Sequence, residues 1–116
     1  MNKTFDLMGQ RLSMLLDSLQ ATQVSARDAA RSVELDQARV GRLSRMDALQ
    51  AQAMSLESNR RREARIRNIR SALARIERGE YGDCIECGEP VDPRRLQADP
   101  AAALCIACAE VSGASG

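Results

Sequence analysis

The feature that most constrains the fold is a heptad repeat near the start of the chain. Small and apolar residues recur at alternating spacings of three and four over four repeats, at Phe5, Met8, Leu12, Leu15, Leu19, Thr22, Ala26, Ala29 and Val33. This spacing forms one stripe along a helix and is typical of a coiled-coil seam. The first 78 residues contain no proline and two glycines, Gly9 and Gly41, so little would interrupt such a helix.

Two shorter seams follow, each with spacings of three, four and three. They comprise Met46, Leu49, Ala53 and Leu56, and then Ile66, Ile69, Leu73 and Ile76. Ten residues separate Leu56 from Ile66, which is not a sum of heptad steps. We therefore expect one helix that carries both seams, with a local stammer in its supercoil between them.

Residues 34–45 separate the first seam from the second and predict a turn. They are polar and include Gly41, and the run from Ser44 to Asp47 resembles a capping box that starts a helix. The pattern predicts a mainly α fold, with a long antiparallel helical hairpin over residues 1–78 and an exposed tip at about 34–47. We expect a monomer, and a coiled-coil dimer is the alternative, because a lone hairpin buries little surface.

Four cysteines after the hairpin form two matched pairs. Cys84 and Cys87 are separated by two residues, as are Cys105 and Cys108, and 17 residues lie between the pairs. This spacing is typical of a tetrathiolate zinc site, which is structural because no coordination position stays open. A redox dithiol is the alternative. We therefore expect a small C4 zinc-finger module over residues 79–110 that holds one Zn²⁺, followed by a flexible tail over 111–116.

Composition makes several other functions unfavourable. The chain has no histidine and a single lysine, Lys3, so the usual residues of general-base and Schiff-base chemistry are missing and we expect no enzyme. Its apolar runs are short, which predicts neither a membrane span nor a signal peptide and favours the cytoplasm. Residues 60–78 carry eight arginines against two glutamates, whereas residues 79–116 carry two arginines against seven acids.

The finger region resembles the zinc-finger signature of the DksA/TraR family. The resemblance rests on the run from Gly79 to Pro90, on the run from Arg94 to Pro100, and on the second cysteine pair. From about residue 66 to residue 110 the resemblance holds residue by residue. Upstream of residue 66 it is limited to the fold, in that a helical hairpin precedes the finger. It implies a bacterial transcription regulator that binds RNA polymerase directly, without operator DNA, and inserts its hairpin through the secondary channel.

In this family an acidic residue of a D-x-x-D-x-A pattern at the hairpin tip acts near the polymerase active site. The best placement puts Ser44, Asp47 and Leu49 on the three pattern positions, so that only the second acid is retained. Asp36, in the same predicted turn, is the alternative tip acid. A purely local role for Asp47, as a carboxylate that stabilises the helix start, is equally compatible with the sequence.

A cluster of arginines on the second helix is a candidate partner-binding face, which an acidic protein surface or phosphates would complement. It comprises Arg60, Arg61, Arg62, Arg65, Arg67 and Arg70. The alternative is a solvated helical face that carries arginine because of its high helix propensity. Some family members also respond to the nucleotide ppGpp, which binds between regulator and polymerase. Asn68, Asp99 and Ala109 stand where responsive members carry basic residues, so the resemblance leaves ppGpp binding open.

Two other functions remain as alternatives. A zinc-finger nucleic-acid-binding protein could use the arginine cluster on phosphates, although the acidic finger and the scarcity of aromatic residues argue against it. A structural coiled-coil adaptor would tolerate the loss of both Asp47 and Asp36. Neither a sequence-specific DNA site nor a membrane partner is expected.

Overall fold

Two long α-helices form most of the described chain. The computed structural model describes residues 3–40 and 45–112, with side chains described for 5–31 and 46–112. Helix α1 spans Lys3–Val40 and helix α2 spans Arg45–Glu77; the short helices α3, Pro93–Ala98, and α4, Ile106–Ser112, follow. The predicted fold class is confirmed: the protein is mainly α, with long helices that precede a four-cysteine cluster.

Helix α1 continues farther than the sequence pattern predicts. The pattern places a turn over residues 34–45, whereas the structure has residues 34–40 in helix. Polar composition alone does not end a helix, and glutamate, leucine, glutamine, alanine and arginine all have high helix propensity. Gly41 is the first helix-breaking residue after Gly9, and residues 41–44 lie outside the described part of the chain.

The start of α1 packs against the end of α2, which makes the pair antiparallel. A methyl group added at Gly9 would lie 3.9 Å from Cδ1 of Ile76. The Phe5 ring meets the Tyr81 ring edge to face, with centroids 5.6 Å apart. Leu12 and Ile69 are fully buried between the two helices. Burying each such side chain contributes about 1.5–3 kcal/mol, so this end, which we call the base, holds the hairpin together.

The base shares its core with the segment that follows α2. Tyr81, Val91, Leu96 and Ala101 belong to the same buried cluster as Leu12 and Ile69. The Tyr81 hydroxyl donates a 2.7 Å hydrogen bond to the carbonyl oxygen of Pro100, which satisfies the one polar atom that this ring buries. The finger is therefore packed on the hairpin through a common core.

Arg75 is an unusual member of this base because its side chain is only 4% exposed. Its Nη1 donates a 2.8 Å hydrogen bond to Oγ of Ser71, while its Nη2 has no hydrogen-bond partner among the described residues. Burial lowers the pKa of this guanidinium, and the neighbouring Tyr81 acts in the opposite direction. No carboxylate of the described residues pairs with Arg75, and such a buried cation lowers stability, so packing at the base offsets this cost.

The far half of the hairpin is packed much more loosely where its side chains on α2 are described, over residues 46–58. In α2, Met46, Leu49, Ala53 and Leu56 are all exposed, so this seam is not buried against α1 as its heptad spacing would predict. An α-helix rotates by about 100° per residue, so the seam from Met46 to Leu56 points about 160° away from the seam that contains Ile66 and Ile69. The ten-residue step between the seams turns the first one outward, since α2 continues as a single helix through it.

Small side chains take the place of the missing seam on the inner side of α2. Ala48, Ala51, Ser55 and Ser58 stand in register with Ile66 and Ile69 at the helical period. Ala48 is half-buried and the other three are exposed, so this half contributes little hydrophobic stabilisation. Among the described helices, none combines the length with the apolar composition that a bilayer crossing requires.

Candidate metal centre and contact surfaces

The first cysteine pair lies on a short loop closed by backbone hydrogen bonds. The amide of Cys84 donates to the carbonyl oxygen of Glu89 at 2.8 Å, and the amide of Gly88 donates to that of Cys84 at 2.9 Å. Gly88 has a φ of 78°, a conformation that costs glycine little and other residues more. Glycine directly after Cys87 thus lets the chain turn so that both sulfurs face the same point.

The second pair lies where α4 begins. The amide of Ala109 donates to the carbonyl oxygen of Cys105 at 2.9 Å, which places Cys105 and Cys108 on one helical turn. The amide of Ile85 donates to the carbonyl oxygen of Ala103 at 2.9 Å and joins the two cysteine loops. Residues 111 and 112 complete α4, so the helix extends two residues into the segment that the sequence predicts to be a tail.

The four sulfurs converge as a zinc site requires. The Sγ atoms of Cys84, Cys87, Cys105 and Cys108 all lie within 4.8 Å of one another. Four Zn–S bonds of about 2.3 Å in a tetrahedron separate the sulfurs by about 3.8 Å. The Sγ atoms of Cys87 and Cys105 are 3.8 Å apart, which matches that spacing. The cluster is therefore a tetrathiolate zinc site, and its four protein ligands make its role structural.

Crowding among the thiols also favours a cation at their centre. Backbone hydrogen bonds, chiefly from Cys105 and then from Cys87, lower the pKa of Cys84 to about 6. The neighbouring thiols, Cys105 first, raise the pKa of Cys108 well above its usual value. Four thiolates this close repel one another, so a divalent ion that attracts all four is needed before they can all ionise.

Helix α3 supports the second cysteine loop. Asp92 caps the helix by accepting a 2.9 Å hydrogen bond from the amide of Arg94, and this contact lowers the pKa of the Asp92 carboxyl. Nε of Arg95 donates a 3.1 Å hydrogen bond to the carbonyl oxygen of Leu104, directly before Cys105. The side chains that fix the finger are thus a cap and an arginine, and neither binds metal.

The predicted tip residues are only partly described by the structure. Asp47 lies exposed in the first turn of α2, and Leu49 is exposed on the opposite side of that helix. Asp36 belongs to α1, although its side chain lies outside the described set. Ser44 lies outside the described residues. The roles of these four positions stay predictions.

The arginine cluster divides into three kinds of environment. Arg61 is exposed and paired with Glu57 at 3.2 Å, whereas Arg62 is half-buried and donates a 2.8 Å hydrogen bond to Asn59. The other four, Arg60, Arg65, Arg67 and Arg70, are exposed. At the helical period, Arg60 and Arg67 share the outer side of α2 while Arg65 and Arg70 lie on other sides, so the cluster is not a single face. The cluster's role as a partner-binding surface stays a prediction.

The three positions compared with ppGpp-responsive members lie in different surroundings. Asn68 is exposed on α2, whereas Ala109 is buried in α4. The Asp99 carboxylate is half-buried and accepts a 3.1 Å hydrogen bond from the amide of Ala101. None of the three presents a cationic group to a phosphate.

Two structural features were not found from the sequence. One is the set of supporting contacts made by Tyr81, Arg95 and Asp92, whose partners are 2 to 19 residues away. The other is the outward direction of the Met46 to Leu56 seam. Following that seam at 3.6 residues per turn, instead of seeking a heptad match, would have shown its direction.

The comparisons with known proteins agree with this geometry. A family model described as the prokaryotic dksA/traR C4-type zinc finger matches residues 79–112. The chain is similar to the transcription factor DksA2 from Pseudomonas aeruginosa, at 30% identity over 94% of this chain and 82% of that one, with a TM-score of 0.76. None of the curated proteins matches.

A second solved structure has the same fold at lower identity. It is described as the RNA polymerase binding protein and transcriptional regulator Dks from Chlamydia trachomatis L2. The identity is 20% over all of this chain and 98% of the other, with a TM-score of 0.60. The likeness to DksA2 includes the hairpin as well as the finger, so the chain belongs to the DksA/TraR family of C4 zinc-finger proteins.

Proposed function

We propose that this protein is a transcription regulator that binds RNA polymerase directly in its secondary channel and modulates initiation through the hairpin tip, without operator DNA. The observation that carries the proposal is the 30% identity to a transcription factor over 94% of the chain. A likeness limited to the finger would support only a zinc module, whereas this one includes the two long helices.

The contrast between a tightly packed base and a loosely packed far half is compatible with insertion of the hairpin into a channel. The base and the finger form one packed unit with a closed metal site, and residues 46–58, the described part of α2 in the far half of the hairpin, contribute no buried side chain. A long, slim element on a rigid support can enter a channel, but it is poorly suited to enclosing a substrate. The protein then acts by differential binding: it changes the lifetime of a promoter complex as far as it binds one polymerase state better than another.

The first experiment is a pull-down with core RNA polymerase from the source organism, with competition by another ligand of the secondary channel. Retention that the competitor abolishes supports the proposal. Retention that is insensitive to the competitor would show that the binding site lies elsewhere on the polymerase, and no retention would refute the proposal.

A second experiment separates binding from regulation. Asp47→Asn removes the tip charge and keeps the shape of the side chain, so this variant should bind core polymerase as well as the wild type but lose its effect on transcription initiation. Asp36→Asn is the matched variant for the alternative tip acid. If both variants regulate normally, neither acid is the tip residue.

The nucleic-acid alternative has its own test. The exposed arginines of α2 could neutralise phosphates, and such binding weakens steeply with added salt because counterions are released. A filter-binding titration with duplex DNA at two salt concentrations measures this directly. We expect weak binding without sequence preference.

A further inference from the structure

The outer side of α2 carries apolar side chains that nothing in the described chain covers. Met46 is 75% exposed, Leu49 is 62% exposed and Leu56 is 51% exposed. With Ala53 they follow a spacing of three, four and three, so they form one stripe over about three helical turns. We call these four residues the outer stripe.

Single exposed leucines or methionines are ordinary on protein surfaces and need no explanation. The outer stripe differs because its members repeat at the coiled-coil period on one side of a helix. Met54 provides the contrast: it is 72% exposed on the same helix, but it points about 120° away from the centre of the stripe. An apolar stripe at this period is the surface that a second helix recognises.

Charge continues the outer stripe toward the base. Arg60 and Arg67 lie on the same side of α2 at the helical period, and both are exposed. Neither makes an ion pair within the described part of the chain, whereas the nearby Glu57 is paired with Arg61. A complementary partner would thus place apolar side chains against the stripe and carboxylates opposite Arg60 and Arg67.

A second copy of this chain fits the surface poorly. Three large side chains and one alanine cover much less than the about 800 Å² per partner that a stable protein interface buries. Helix α1 does not cover the stripe either, because the three large side chains of the stripe are 51–75% exposed in the hairpin. The stripe is therefore expected to bind a partner whose complex with this protein is held mainly by other contacts, and to add to the affinity of that complex.

Resting on the proposed function, we infer that the outer stripe, together with Arg60 and Arg67, docks against a helical segment of RNA polymerase that presents an apolar face flanked by carboxylates. This contact is distinct from the tip role of Asp47, which lies on a different side of α2. It supplies affinity along the length of the hairpin, whereas the tip acid supplies the regulatory effect.

The test uses a double variant, Met46→Gln with Leu56→Gln, in the full-length zinc-loaded protein. Leu49 is left unchanged because the family resemblance gives its position a tip role. Affinity for core RNA polymerase is measured by fluorescence anisotropy of protein labelled at its N-terminus. We expect binding at least about tenfold weaker, because burying a single leucine-sized side chain contributes about that factor.

Met54→Gln is the matched control, since it removes an equally exposed methionine from the same helix off the stripe. It should change affinity by less than about twofold. Both glutamine variants should have the unfolding midpoint of the wild type, because the replaced side chains are exposed. Arg60→Gln with Arg67→Gln should weaken binding at low salt and reduce its salt dependence, as expected for a contact with carboxylates.

The outcomes separate this inference from the function on which it rests. If the wild type binds polymerase and the stripe variant binds equally well, the inference is overturned and the proposed function stands. If the wild type does not bind, both fail. If sedimentation shows a wild-type dimer that the stripe variant converts to a monomer, a second copy covers the stripe and the inference is overturned.

Discussion

The base of the hairpin and its far half differ in where α2 places its large apolar side chains. At the base, α2 directs Ile66 and Ile69 toward α1, and both are buried. In the far half the alanines and serines are in phase with that buried side, although all but Ala48 are exposed, and the large apolar residues of the outer stripe lie on the opposite side. The comparison teaches that heptad spacing alone does not tell which side of a helix will be buried; the phase relative to the next seam decides it.

The two ends of the hairpin also differ in the interactions that stabilise them. The base has a shared core, a capped helix and a tetrathiolate site, while the described far half relies mainly on backbone hydrogen bonds within its helices. Stability is therefore concentrated at one end, and the other end is left accessible for contact. Four perturbations test this division, in order of decreasing expected effect.

Removing the metal should have the largest effect. Structural zinc sites supply about 10–16 kcal/mol of apparent binding free energy. We expect a strong chelator, or Cys84→Ser, to unfold residues 79–112 while much of the helicity of α1 and α2 survives. Limited proteolysis and far-UV circular dichroism measure the two parts separately, and added zinc should restore the wild type. Unchanged protease resistance after complete zinc removal would contradict the account.

A matched pair of truncations on α2 should show the next largest effect. Ile69→Ala opens a cavity in the core and should lower the free energy of unfolding by about 2–5 kcal/mol. Leu56→Ala, on the exposed stripe, should change it by no more than about 0.5 kcal/mol. Urea unfolding measures both, and equal effects would mean that the far half is packed as tightly as the base.

The helix cap of the finger should show a smaller effect. Asp92→Ala removes the acceptor for the amide of Arg94 and should lower the melting temperature by a few degrees. Asp92→Asn should retain most of the stability because asparagine also caps helices. Folding lowers the pKa of the Asp92 carboxyl, so the ionised carboxylate stabilises the folded protein. This stabilisation is complete above about pH 4, the ordinary pKa of aspartate, and is lost as the pH falls through the lowered pKa. The asparagine variant should lack that dependence.

The smallest expected effect is a gain in stability from a substitution at the base, Gly9→Ala. Gly9 lies inside α1, and an added methyl group would make an ordinary contact, 3.9 Å from Cδ1 of Ile76. Gly9→Ala should therefore raise the free energy of unfolding by about 0.5–1 kcal/mol. A loss of stability in urea unfolding would show that α1 and α2 approach more closely than this spacing.

Much of this arrangement could be predicted from the sequence, because its signals are local. The cysteine spacing gave the zinc ligands, and the seams that contain Leu12 and Ile69 gave the packing of the base. The end of α1 could not be predicted from polarity, since helix propensity keeps residues 34–40 helical. The direction of the outer stripe depends on rotation accumulated along α2, and the bond from Tyr81 to Pro100 joins residues that are distant in the chain.

The central claim is that the far half of the hairpin is the part free to contact polymerase. Amide hydrogen exchange with and without saturating core RNA polymerase tests it most directly. In the free protein, we predict slow exchange around Leu12 and Ile69 and faster exchange over residues 46–58. On binding, residues 46–58 should gain the most protection. No gain over those residues, with protection confined to the finger, would contradict the account.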